Sequence, residues 1–592
     1  MKRYSISNEQ GLYLGIFIIA LLLRLVSLGS AVPGNDESAL ALQALDLVKG
    51  GRMIHIPQPG YILSAMFLFF LGGANDFTAR FFPALLGACL IWIPYLFRYY
   101  LGREWACLAA FVLCLDPGLI AISRQANGIM FATAGVLFSL AFFSAHRFTL
   151  AGVAMGVALL GGPMFWQGMV SLIVSYFVYH FIHHQPVINK NQGENWVTLL
   201  QQNYRPVLLS AGLTFILAGS SFFTVPTGLS AGGAGLPLYF LGWFRSQEVP
   251  ISRLINALST TEFFLIVLAL ISVWKSISDW KPIDRFLGIW WVISTVLILL
   301  YPSRQVHDLT WSLLSMAFLA ARQIPLLVQI HPTERTATLG QFGLSSILLI
   351  FIWLNLLGLT ANPAFDFVNM TRLFLPDSTG AISANADDVL KMVALIGGVI
   401  LLILTNLLVA WGWKPSIAWK GSILAFSLMF LILTLSSSAR SAGFTKLRQA
   451  ELWLGSPYFL EGRYLVQTIE DLSKWNRSEP HVLDLYVVDK DLPSLRWALR
   501  NMKDVRWTID VAGNVNPSMV ITSENTDINL AANYRGQDFV YSSTPTFAFL
   551  SPIDWPRWLA FREGLIEHTG LILWVRGDLF PGNNNLSVDD IP

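Results

Sequence analysis

The sequence predicts a membrane protein: an all-α polytopic bundle of roughly thirteen transmembrane helices followed by a C-terminal extracytoplasmic α/β domain. Two observations predict it. Of 592 residues, 54% are hydrophobic and only 13% charged, about half the charge a soluble protein of this size uses to cover its surface. Apolar runs of spanning length recur from residue 11 to about 437 and then stop, with charges crowding in beyond residue 440. In lipid each run must close its own backbone hydrogen bonds, so each reads as a helix.

The first helix runs over 12–29. Lys2 and Arg3 ahead of it resemble a signal peptide, but the run is long and has no small-residue cleavage site, so it reads as a retained helix. Further spans follow near 79–99, 104–121, 126–145, 148–162, 164–184, 206–225, 258–275, 286–301, 308–329, 342–360, 389–412 and 420–437. The run 61–71 is apolar but short and lies between Pro57, Pro59 and the Gly72-Gly73 pair. It therefore reads as interfacial or re-entrant.

Placing the N-terminus in the cytoplasm collects Lys2, Arg3, Arg98, Arg103, Arg147, Lys190, Arg205, Lys275, Lys281, Arg285, Arg335, Lys414 and Lys420 on the inside, in keeping with the positive-inside rule. The loops 30–78, 226–257, 302–307 and 361–388 then lie outside, with the terminal domain. Residues 1–438 form the membrane domain, in which 30–78 is a first outer loop with interfacial helices, and 439–592 form the outer domain. A plasma (inner) membrane location follows, and the bilayer is the first partner.

In the outer domain, His481–Val488, Leu492–Asn501 and Val505–Val511 alternate as strand, helix and strand, a βαβ rhythm. Pro517–Thr522 and Asp538–Ser542 read as further strands. Trp555, Trp558 and Trp574 are expected in its core or against the headgroups. It carries no glycine fingerprint for a nucleotide.

A formal net charge of +2 with no basic tract gives no basis for a nucleic-acid partner. The three cysteines, Cys89, Cys107 and Cys114, all fall in apolar stretches and support neither a disulfide framework nor a cysteine metal site.

The candidate chemistry lies on the outer face. Gly34-Asn35-Asp36-Glu37 places two carboxylates just beyond the first helix, where partial desolvation raises the basicity of an acid that faces a protein cavity. The competing reading is that Asp36 and Glu37 favour the N-terminal turn of the helix that follows. Arg80, Arg124 and Arg304 reach the same face, either to meet an anion or to snorkel to headgroups. Tyr301-Pro302-Ser303-Arg304-Gln305-Val306-His307 is a tight outer turn, and His55 stands in the first loop.

The order of that acidic pair, then Pro57-Gln58-Pro59-Gly60-Tyr61, then Asp76-Phe77-Thr78-Ala79-Arg80-Phe81-Phe82-Pro83-Ala84-Leu85-Leu86-Gly87 resembles the protein O-mannosyltransferase and aminoarabinose transferase superfamily. These are bacterial and related glycosyltransferases of the GT-C fold, in the GT39 and GT83 families. The resemblance spans residues 1–330 by order of features, and its motifs are short.

The resemblance implies a polyprenyl-phosphate-linked sugar as donor and a lipid, glycan or protein hydroxyl as acceptor. It makes Asp36, with Glu37 beside it, the catalytic group that takes the acceptor proton, with inversion. Arg304, Arg124, Arg80 and His307 would then hold the donor phosphate and His55 would contact substrate. The sequence departs from the family in Ser123-Arg124-Gln125-Ala126-Asn127-Gly128, where members often place a second acid. A single acidic pair is a thin ligand set for a divalent metal, so no cofactor is expected with any strength from these residues. The rival readings are a transporter or flippase, which buries charge near the bilayer midplane, and a non-catalytic scaffold with a glycan-binding outer domain.

Overall fold

A computed structural model describes residues 8–51, 57–183, 196–245, 249–275, 282–360, 386–444, 451–511, 515–526, 530, 532–545, 558 and 566–580. Each expected span is helical, but 79–99, 104–121 and 258–275 each fall on two successive helices instead of one. Among the described residues, seven helices are long and apolar enough to cross a membrane, or up to nine if each bent pair is one span. Ile129–Ser144 and Phe148–Leu159 are apolar but shorter. Twelve residues of helix rise only about 18 Å, less than the ~30 Å of bilayer hydrocarbon.

Side-chain burial sorts the helices by what surrounds them. Thr310–Val328 is central, with Trp311, Leu313, Leu314, Met316 and Ala317 wholly enclosed. Ala386–Gly412 presents Leu401, Leu407, Leu408 and Trp411 outward. Its apolar face has no protein to pack against, as expected of a helix that faces lipid. Two spans are broken: Arg103–Leu115 meets Pro117–Ser123 at 58°, and Ile251–Thr261 meets Phe263–Lys275 at 86°. Pro117 explains the first break, since it has no N–H to continue the ladder. Asp116 restores a partner by accepting from the Leu119 N–H at 2.8 Å.

The first loop is built from α2 (Asn35–Val48) and α3 (Pro59–Gly72), which lie between α1 (Asn8–Leu25) and α4 (Asp76–Cys89). At 14 residues, α3 is about 21 Å long. Asn75 starts α4, its side chain accepting from the Phe77 and Thr78 N–H groups while Thr78 reaches back, a reciprocal cap.

Among the described residues the terminal domain contains five strands, β1 (Leu485–Val488), β2 (Val505–Thr508), β3 (Met519–Ser523), β4 (Tyr534–Pro545) and β5 (Ile566–Arg576), in the order β2-β1-β3-β5-β4. The expected βαβ unit is present: β1 and β2 are parallel across the short helix Pro493–Ala498. β3 adds in parallel to the other side of β1, and β5 and β4 close the sheet antiparallel. Trp574 on β5 donates its indole N–H to Thr522 Oγ1 at 3.1 Å. Trp558 is buried, but it belongs to the core of the helical bundle and not to this domain. Trp555 and His55 lie outside the described residues.

The bundle and the sheet share a seam. Val32 forms an antiparallel bridge with Phe459, and one buried cluster joins Leu40, Ala44 and Phe69 of the first loop to Trp497, Leu495 and Leu571 of the sheet domain. Trp497 donates to Asp76 Oδ1 at 2.8 Å, and Arg463 pairs with Asp76 at 3.3 Å.

Candidate active site

At this seam lies a cavity of about 420 Å³, within the ~300–1,000 Å³ range of ligand sites. The first loop supplies Asp36, Glu37 and Gln58 to its wall, the turn after Asp116 supplies Gln125 and Asn127, and the helix Pro163–His183 supplies Gln167. Tyr239 and Arg245 come from a later loop, Tyr301, Ser303, Gln305, His307 and Asp308 from the turn before Thr310, and Gly455 and Ser456 from the entry to the terminal domain. Segments read from sequence as outer loops thus converge on one space.

The two acids of the first loop part company there. The N-cap of α2 is Gly34 and no side chain caps the turn, but Asp36 and Glu37 both lie in its first turn, where negative charge is favoured, as the competing reading expects. Glu37, 6% exposed, accepts from Arg80 Nε at 2.7 Å and from the Ala126 N–H at 3.0 Å. Asp36 lines the cavity but is exposed, so the desolvation expected of this pair falls on Glu37 and not on Asp36. Its N–H donates to Ser456 Oγ at 3.2 Å, and a Cβ on Gly455 would sit 3.4 Å from Asp36 Oδ2 and 4.0 Å from Gln305 Oε1. Gly34 admits this approach because a Cβ there would meet Ser456 Oγ at 2.5 Å and the Pro457 carbonyl at 2.6 Å.

The expected arginines separate into three settings. Arg80, 2% exposed, donates to the carbonyls of Leu28 and Ala31 at 3.2 and 2.9 Å as well as to Glu37. Arg124 donates to the carbonyls of Leu23, Arg24, Val26 and Ser27, at and just beyond the end of α1 where a cation is favoured. These two share a smaller crevice with Arg440, Glu451 and Tyr458. Arg304 lines neither space: it donates to the carbonyls of Val249, Leu299 and Tyr301, which makes it a cap on the helix Pro282–Leu300. Its neighbours Ser303 and Gln305 line the cavity in its place, and Arg245 is the arginine on that wall.

His307 lies in the turn between two helices, and burial pushes its imidazole down to about 4. It is therefore neutral near pH 7 and offers a hydrogen bond, not a charge. In the same turn, burial raises the Asp308 carboxyl to about 7, opposed by the Gln305 N–H bond it accepts. Asn127 accepts from the Ile129 N–H at 3.2 Å and lines the cavity. Among the described residues no three His, Cys, Asp or Glu side chains group as a metal set.

Gln167, Gln125, Gln58, Arg245 and Asp308 escape the reading from sequence. Gln167 carried a usable signal, being a carboxamide inside the apolar run 164–184. The others lie on segments whose convergence only the fold reveals.

No family model and no curated protein sequence matches this chain. Solved structures do. The ArnT structure from Cupriavidus metallidurans bound to undecaprenyl phosphate superposes with a TM-score of 0.53 at 14% identity, over 95% of this chain and 98% of that one. The chain has the GT-C fold. The apo form of the same ArnT gives a TM-score of 0.51 at 15% identity, over 88% and 94% of the two chains. The GT-C fold carries the membrane bundle and the terminal domain together, since the likeness runs through nearly the full length of both chains. In this GT-C chain the cavity lies where the first loop meets the terminal domain.

Proposed function

We propose that this chain is a membrane glycosyltransferase that moves a sugar from a polyprenyl-phosphate donor to a hydroxyl of a lipid, glycan or protein. The observation that carries the reading is the Asp36 carboxylate on the wall of a ligand-sized cavity, in a fold shared with an ArnT structure that holds undecaprenyl phosphate. In the proposed reaction the acceptor oxygen attacks the anomeric carbon as the bond to the donor phosphate oxygen breaks. The acceptor proton passes to Asp36, and the electron pair leaves on the phosphate. A single displacement inverts the anomeric centre.

Glu37 acts at one remove, neutralising Arg80 and holding the Ala126 N–H so that the two loops keep their spacing. Arg245 meets the charge that grows on the leaving phosphate, and Arg304, behind the same turn, adds to the positive potential. His307 donates or accepts a hydrogen bond there. Arg80 and Arg124 already hold Glu37 and the end of α1, so their part is to keep the adjoining crevice cationic.

One observation favours transport as a second reading. Asp116 and Glu262 are both buried at the bends of the two broken spans, and Glu262 accepts from the Gly118 N–H at 3.1 Å across them. Ionisable groups at broken helices are a transporter feature. Detergent-solubilised chain separates the two readings, because transfer needs no sealed compartment and transport does. Release of undecaprenyl phosphate from a labelled sugar donor in micelles, with label recovered on an acceptor, supports the transferase. Uptake into proteoliposomes without any label transfer supports the transporter.

A further inference from the structure

Gln167 stands apart from every other carboxamide on the cavity wall. Gln58 Oε1 is taken by the Gly128 N–H at 2.7 Å, Gln125 Nε2 donates to the Ala121 and Trp453 carbonyls, Asn127 Oδ1 is taken by the Ile129 N–H, and the Gln305 side chain accepts from the Asp308 N–H. Gln167 is 2% exposed, and neither its Oε1 nor its Nε2 has a partner among the described residues. Both atoms belong to a side chain that lines the 420 Å³ cavity. A buried amide with both ends unsatisfied is costly to keep, and packing does not demand it, since methionine fills the same volume without a polar atom.

The chemistry of the pair of atoms selects the ligand. A phosphate offers acceptors only and would leave Gln167 Oε1 unmet. An ammonium offers donors only and would leave Nε2 unmet. Hydroxyl groups donate and accept, so two neighbouring hydroxyls satisfy both ends of one amide. His307 Nε2, also shielded and without a partner among the described residues, lines the same cavity. It extends the neutral polar surface. We infer that Gln167, with His307 elsewhere on the same cavity wall, is the specificity determinant for a neutral, hydroxyl-bearing sugar, read through two adjacent hydroxyls. The inference rests on the transferase reading and adds the class of sugar to it.

The test is direct binding by the full-length chain in detergent. Dissociation constants are measured for bare undecaprenyl phosphate and for undecaprenyl-phosphate-linked glucose, galactose, mannose and aminoarabinose, in wild type and in Gln167→Met. The expected result is that at least one neutral hexose binds wild type tenfold or more tighter than the bare lipid and tighter than the amino sugar, which offers fewer hydroxyl pairs. In Gln167→Met that sugar-dependent gain vanishes, affinity for bare undecaprenyl phosphate stays unchanged, and Tm holds or rises because an unsatisfied amide has been removed. The unchanged bare-lipid affinity shows that the variant is folded. A hexose gain that survives in Gln167→Met overturns the inference and leaves the transferase reading standing. The same follows if sugar adds nothing to wild-type binding of the bare lipid, or if the amino sugar gains most. Failure of wild type to bind bare lipid or any sugar lipid overturns both.

Discussion

Tyr541 donates its hydroxyl proton to Asn35 Oδ1 at 3.0 Å, joining two residues 506 positions apart. Ser494 completes the junction, its N–H and Oγ lying 3.2 and 2.8 Å from the same amide oxygen. Asn35 immediately precedes Asp36, so the terminal domain holds the backbone from which the proposed base projects.

Asn35→Ala removes the acceptor for this cluster and leaves a buried N–H and hydroxyl unmet. It is expected to destabilise the chain by about 1–3 kcal/mol, read as a lower Tm, and to lower kcat for sugar transfer more than it raises KM. Tyr541→Phe removes one donor and is expected to cost about 0.5–1.5 kcal/mol. The double variant should cost less than the sum of the two, because the residues touch.

The Arg80–Glu37 pair is the next point of leverage. Both side chains are buried, and Arg80 also supports two carbonyls of the first loop. Glu37→Gln strands a buried guanidinium and is expected to cost about 3–5 kcal/mol, seen as a loss of folded protein in detergent. Arg80→Met with Glu37→Gln should recover part of that loss, since no uncompensated charge remains.

His307 sets a pH dependence with a definite sign. Its unfolded pKa is near 6.5 and its folded value is about 4, so the unfolded chain binds a proton first as pH falls. Stability is therefore full above about pH 6.5 and declines as pH drops from there toward 4, by on the order of 2–3 kcal/mol. Asp308, raised to about 7, acts in the opposite sense, costing stability as pH rises from about 4 to 7. The difference between wild-type and His307→Gln melting curves across pH 4–7 isolates the histidine. The variant should lose the decline.

Gly162 takes a positive φ of 78°, and a Cβ there would lie 1.9 Å from the Pro57 carbonyl oxygen. Gly162→Ala adds backbone strain to a clash with backbone, which side-chain motion does not relieve. A loss of about 2 kcal/mol or more in thermal stability is expected, with a displaced Pro57-Gln58 wall read as weaker donor binding.

Much of this architecture is legible in the sequence because lipid imposes a simple rule: long apolar runs become helices. The βαβ unit at β1 and β2 was equally plain, since alternation and turn residues mark it. The strand β5 was not, because Ile566–Arg576 gains its register only by pairing with both β3 and β4. In the site, Asp36 stood out as an acid at the membrane boundary. The roles of Arg80, Arg124 and Arg304 did not, because a guanidinium that caps a helix end and one that awaits an anion look alike in sequence. The carbonyl partners of Arg80 and Arg124 come from distant segments, as when Arg124 reaches α1 across about a hundred positions. Buried Arg24, bonded to Ser123 and to the carbonyls of Leu113 and Cys114, is a similar case inside the bundle.

The account stands most directly on the Asp36 carboxylate, and the decisive measurement is the initial rate of label transfer from a polyprenyl-phosphate sugar donor by wild type and Asp36→Asn at matched expression. The account predicts that wild type transfers label and that Asp36→Asn, equal in size and in fold, falls by about 10²–10⁴-fold, the usual contribution of a positioned general base. Equal transfer by the two proteins would contradict it.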